Sequence, residues 1–317
     1  MVGSTPFQPY AKTATGSLYF EDIGFENITA DYLIFSGNTL IQQDTTSIEI
    51  NNVIISNCSV SYVFFIQSST ARVSNVTMIS TTADDAVYLS IYRDVEMNNW
   101  IVKSCTVAST FLQSSAHSTT LRDVNVASIS SATSSPADYL FFFSDGRAYI
   151  YNSTFDDINY FSEAIRTQQP AYLSSVSCTN SQIEYFVFSS SSLLYLNDVS
   201  IEDSTFTSSV FYASYTTSFV SIDNLSVYRI QAQGSFFTLF GSNANVEILN
   251  SNLTLVQAPI VFSFQVSNLV VENCFFSSCE IYSAITGGTP AIFFVVPLES
   301  TSSAIISRCN FTHNESM

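Results

Sequence analysis

An Asn or Asp followed by apolar-x-apolar recurs along the whole chain, with another apolar residue two positions before each marker. Self-similarity at this period marks a repeat architecture, in which each unit buries its apolar face only against its neighbours. The markers are Asp22, Asn52, Asn75, Asn99, Asp123, Asn152, Ser175, Asp198, Asn224, Asn250, Asn273 and, in degenerate form, Arg308, spaced mostly by about 23 to 30 residues with a longer last interval. The column two before them runs Phe20, Ile50, Val73, Met97, Leu121, Ile150, Leu173, Leu196, Ile222, Ile248, Val271 and Ile306. The column three after them runs Phe25, Ile55, Met78, Val102, Val126, Phe155, Cys178, Ile201, Val227, Leu253, Phe276 and Phe311.

The phase of these columns predicts the geometry. Inward positions fall four and two residues before a marker but one and three after it, whereas an uninterrupted strand keeps a period of two. The chain is therefore expected to bend at every marker. A tight bend needs the left-handed backbone region, which Asn and Asp tolerate best after glycine. Asn side chains engaged inside these bends are expected to hydrogen-bond along the column, each contributing roughly 0.5 to 1.5 kcal/mol. A third, aromatic-rich segment follows in each unit, as in Val63 to Ile66, Tyr139 to Phe143 and Phe236 to Phe240.

The pattern thus predicts an all-β, right-handed parallel β-solenoid of about twelve turns, with three strands per turn and an Asn/Asp ladder at one bend. Residues 1–317 read as a single domain with an irregular lead-in over 1–16 and uncapped ends. Longer intervals leave room for loops around Ser36 to Thr46, Ser130 to Asp138 and Glu280 to Pro290.

The unit resembles the parallel β-helix of the pectate lyase and polygalacturonase superfamily, whose second bend carries a similar asparagine ladder. The resemblance covers nearly the whole chain and implies a fold more than an activity, because the superfamily also includes phage tailspikes, adhesins and repetitive surface proteins. Polygalacturonase-like hydrolysis needs carboxylates converging on one sugar bond. The acids beside the third strand are Asp84, Asp85, Asp138, Asp145 and Glu163, with Arg166 nearby; Asp138 and Glu163 are the candidate catalytic pair. The Gly-His-Gly and Arg-Ile-Lys signatures of the family are absent, and His117 and His313 lie in other settings. Catalysis is therefore not the expected role.

Composition narrows the partners. The formal net charge is −17, from nine basic and 26 acidic residues, which disfavours nucleic acid, anionic membranes and polyanionic sugars. No apolar run is long enough to span a bilayer. The first sixteen residues lack the pattern of a signal peptide, so an extracellular or cell-surface location implies a mature form or a fragment. Neither a calcium loop nor a zinc-spaced Cys/His set is present, and no metal or cofactor is expected.

Of the six cysteines, Cys274 and Cys309 each follow a marker directly in neighbouring turns and form a possible disulfide. Cys58 and Cys105 share a column two turns apart, and Cys178 and Cys279 have no evident partner. Eight Asn-x-Ser/Thr sequons occur. Glycans are expected at the outward Asn27, Asn57, Asn252 and Asn310, and not at the ladder residues Asn75, Asn152 and Asn224. The third strand is apolar at consecutive positions, so one apolar column is expected to face out: Phe65, Tyr88, Phe111, Phe142, Val187, Tyr212 and Leu239. Such a stripe needs cover from the chain's own loops, a partner chain or a sugar polymer.

The function expected from these features is that of a structural, glycosylated surface protein. It would assemble end to end or through its aromatic face, with itself or with other surface-protein chains. The alternative is a β-helix that binds or cleaves neutral carbohydrate.

Overall fold

The computed structural model describes residues 16–36, 46–132, 137–214, 219–240, 244–281, 291–297 and 302–316. The three expected loops lie largely outside these residues. The described chain is all strand, and every strand pairing is parallel, linking each coil to the next. Ile50 lies opposite Val73, Val73 opposite Met97, and Met97 opposite Leu121, so equivalent positions stack from coil to coil. The fold is a parallel β-solenoid of about nine complete turns. The expectation of about twelve counts markers, and the turns at either end reach into residues outside the description.

All twelve markers have φ between 47° and 57°, including Ser175 and Arg308, which lack the Asn/Asp side chain. The bend is thus set by the position in the coil, and Asn or Asp lowers its cost. The ladder side chains bond to one another, as Asn99 Nδ2 to Asn75 Oδ1 at 2.7 Å and Asn273 Nδ2 to Asn250 Oδ1 at 3.3 Å. Two rungs step sideways, with Asn75 donating to Asn51 and Asn250 to Asp223. Contrary to expectation, the ladder runs along the outside of the corner and is exposed at Asn52, Asn75, Asn99 and Asn224. The marker side chain faces water because the residues flanking the bend occupy the inside.

A second left-handed corner, not predicted, lies five residues after the first in every coil. Its members are Asn27, Asn57, Ser80, Ser104, Ser128, Asp157, Asn180, Asp203, Arg229, Leu255, Ser278 and His313. Backbone bonds to the next coil hold it, such as Asn57 N–H to Ile79 O at 3.1 Å and Ser80 N–H to Lys103 O at 3.0 Å. The residue directly after a corner turns inward. Where it is Ser, Thr or Cys, it donates to the carbonyl two residues earlier: Ser153 to Tyr151 at 2.9 Å, Ser181 to Thr179 at 2.7 Å and Cys105 to Lys103 at 3.3 Å. Some of these carbonyls thereby accept a second bond, as Lys103 O does from Cys105 beside the backbone N–H of Ser80. Five of the six cysteines sit at such posts, and Cys178 lies in the column three after a marker.

The core fills the coil along its length. Every residue from Ile50 to Val271 in the column before the marker is buried, and so is every residue from Ile55 to Phe276 in the column after it. Aromatic rings interlock along the axis: Phe155, Phe186, Phe211, Phe236, Phe262 and Phe276 pack edge to face, with centroids 5.6 to 6.1 Å apart. Trp100 enters the same interior and gives its indole N–H to Val73 O at 3.0 Å.

Candidate functional site

The third strand holds the main surprise in register. It opens with two consecutive buried residues, as in Val63-Phe64, Phe111-Leu112, Phe186-Val187 and Phe236-Phe237. Consecutive residues of a straight strand cannot face the same side, so the backbone turns between them. Phe111 and Val187 belong to such pairs and face the core. Leu239 lies two residues beyond one and is likewise buried. The outward column runs instead through Phe35, Phe65, Tyr88, Gln113 and Phe142, then Arg166, Phe188 and Tyr212, and its register continues through Thr238, which is buried, to Ser263. Of the seven expected members, Phe65, Tyr88, Phe142 and Tyr212 belong to it.

This strip needs no lid, because its rings cover one another. Phe35, Phe65 and Tyr88 stack with centroids 5.2 and 4.9 Å apart and interplanar angles of 18° and 13°. Phe188 and Tyr212 stack at 4.6 Å. Tyr32 and Tyr62 stack at 5.3 Å beside the first group. Rings stacked along a ladder present edges outward, whereas a sugar stacks on a ring face. A parallel ladder on the first side, Tyr149, Tyr172 and Tyr195, has the same form at 4.9 and 4.8 Å.

Glu163 and Arg166 interrupt the strip. Arg166 Nη1 meets Glu163 Oε1 at 2.8 Å, and its guanidinium lies 5.2 Å from the Tyr139 ring and 4.7 Å from that of Phe188. Glu163 is 5% exposed, and its Oε2 and the Arg166 Nε have no hydrogen-bond partner. Burial pushes the Glu163 carboxyl up to about 7, against the opposing pull of Arg166. Asp138 stands exposed, and its charge adds to the upward push on Glu163.

A titration follows from Glu163. The folded chain holds this proton more tightly than the unfolded chain, so stability falls as pH rises from about 4.3 through about 7 and levels off above. The loss is up to about 3 kcal/mol. Urea unfolding across this range should show the slope in the native chain and lose most of it in Glu163→Gln.

At the corner between the third strand and the next coil, Ser90, Tyr92, Ser115, His117, Asp145 and Gly146 line a groove of about 460 Å³ over Ile91 and Ala116. It forms where neighbouring coils round this corner differently: Ser90 to Asp94 takes four steps against three from Ser115 to Ser118, and the register slips on both sides of Asp145. Gly146, at φ 62°, presses on the Ala116 and His117 carbonyls and contributes no side chain. Tyr92 is 68% exposed at the rim. Only the isolated Gly146 signalled this groove in the sequence. Asp84, beside the third strand, engages its backbone in bonds between coils, while Asp85 accepts the Thr110 N–H at 3.1 Å.

The sequons divide as expected in bonding but not in exposure, since the ladder members Asn75, Asn152 and Asn224 are exposed as well. Asn27, Asn57, Asn252 and Asn310 are exposed, and Asn27 and Asn57 are themselves second-corner residues. Asn75, Asn152 and Asn224 spend their Nδ2 groups on the ladder. Glycopeptide mapping of the chain expressed through a eukaryotic secretory pathway should find sugar at the first group; modification of Asn75 or Asn224 would contradict the ladder bonding.

All six cysteines are free thiols. Burial pushes Cys178 up to about 12, and Cys274 and Cys279 up to about 11, which suits packing rather than nucleophilic chemistry. Among the described residues no His/Cys/Asp/Glu group is arranged to hold a metal, and no helix is long and apolar enough to cross a membrane.

Fold and surface together define a repetitive parallel β-solenoid with self-stacked aromatic faces. No protein-family model, curated protein or solved structure matches the chain, so the likeness to the pectate lyase superfamily rests on the repeat alone and no enzyme family is indicated.

Proposed function

We propose that this chain is a non-catalytic structural element of an extracellular or cell-surface assembly, glycosylated on its outward face and joined end to end with further β-solenoid. The observation that carries this reading is the last described coil. Ile306 and Phe311 occupy columns buried in every interior coil, yet they are 46% and 44% exposed, beside Ile305 at 56%. An open strand edge with exposed core residues is a template for one more parallel coil. Assembly through the aromatic strip is the weaker route, since those rings already stack on each other.

Light scattering and negative-stain imaging test the proposal. Rods that lengthen with concentration, and that stay single in Ile306→Asp/Phe311→Asp, are expected. A wild-type chain that remains monomeric at every concentration contradicts it.

A second reading, binding of a neutral glycan, is favoured by the corner groove, where an exposed Tyr92 ring stands among hydroxyl, imidazole and carboxylate groups. A glycan array probed with the native chain and with Tyr92→Ala tests it. A hit lost in the variant supports this reading, and absence of any hit removes it.

A further inference from the structure

We propose that Cys274 and Cys309 are an oxidisable pair whose disulfide clamps the final coil onto the one before it. Val271 lies opposite Ile306 and Phe275 opposite Asn310, so the intervening register sets Cys274 directly against Cys309. Adjacent parallel strands lie about 4.8 Å apart, within the range of Cα separations that a disulfide spans. Both thiols project inward from the post after a corner, donating to Glu272 O at 3.3 Å and Ser307 O at 3.2 Å, and Cys309 helps burial to raise the Cys274 thiol. The other thiols differ: Cys58 and Cys105 share a column but are separated by a full coil that carries Thr81 at the same post.

Access also distinguishes this pair. Cys309 is half-buried whereas the other five cysteines are buried, so a soluble oxidant reaches Cys309 first. With oxidised glutathione, the Cys309 thiolate attacks the disulfide and expels one glutathione thiolate, leaving a mixed disulfide. Cys274 then gives up its proton and attacks the Cys309 sulfur, expelling the second glutathione. Two protein S–H bonds are lost, one S–S bond forms, and oxidised glutathione is reduced to two glutathione thiols.

The consequence lies at the coil that carries Ile306 and Phe311. Little packing covers this coil from outside, so its strands Ser303–Ser307 and Asn310–Thr312 depend on pairing with the preceding coil. A covalent tie between the two coils restricts opening of that edge.

The test is incubation of the full chain with oxidised glutathione, followed by thiol counting, non-reducing peptide mapping and amide hydrogen exchange. Free thiols should fall from six to four, with a Cys274–Cys309 cross-linked peptide. Amides of the last coil should exchange about tenfold more slowly than in the reduced chain. Cys274→Ser should retain glutathione on Cys309 and show no slowing. Retention of six thiols, capture of Cys309 only as its glutathione adduct in the native chain, or a cross-link to another cysteine overturns the pairing. A cross-link that leaves exchange in the last coil unchanged overturns the clamp.

Discussion

Replacing Phe211 with alanine lowers the unfolding free energy by about 3–5 kcal/mol. Phe211 is fully buried, and its ring packs against Phe186, Phe236 and Phe237 at 6.0, 5.6 and 5.6 Å. The interior is a continuous file of rings, so a void here removes contacts with coils on both sides at once. Phe211→Leu keeps most of the volume and should cost less than about 1.5 kcal/mol. Urea unfolding monitored by circular dichroism checks both; near-equal midpoints for the two variants would show that the axial file contributes little. A stacked array can unfold coil by coil, so a broadened transition with separate phases is also an expected sign of a weakened junction.

The second large effect is at Gly146. A Cβ there would lie 2.0 Å from the His117 carbonyl oxygen and 2.2 Å from that of Ala116, both backbone atoms that cannot rotate away. With φ at 62° an alanine also carries the left-handed cost of roughly 1–2 kcal/mol. Gly146→Ala should therefore lower stability by more than about 2 kcal/mol and displace the His117 corner. Equal thermal midpoints for Gly146→Ala and the native chain would contradict the packing at this corner.

The repeat was legible because two of its columns lie inside the coil and hold only apolar residues, and because a period of two slips at the marker. Ile50 and Val73 stack as that reading requires. The second corner was invisible since nothing in its column is uniform: Asn, Ser, Asp, Arg, Leu and His all adopt the same φ, held by bonds to the next coil. The phase of the third strand was ambiguous for a related reason. Phe186 and Val187 are both apolar and both inside, which alternation along one strand cannot produce. A hidden turn was therefore read as an outward column at Phe111, Val187 and Leu239.

The candidate sites were legible in part. Glu163 was singled out by residue type, but the setting of its partner Arg166 against the Tyr139 and Phe188 rings of neighbouring coils follows only from the corrected register. Cys274 and Cys309 lie opposite each other in neighbouring coils because the marker rule holds even at Arg308. The corner groove arises from unequal coil lengths, a property of three coils taken together rather than of any motif.

Backbone NMR of the isotopically labelled chain tests the stacked, double-cornered coil most directly. Scalar couplings and carbon shifts should give positive φ at Asn75 and Ser80 and again at Asn224 and Arg229, with proton contacts between Ile50 and Val73. Negative φ at those four residues, or contacts that place Ile50 away from Val73, would contradict the account.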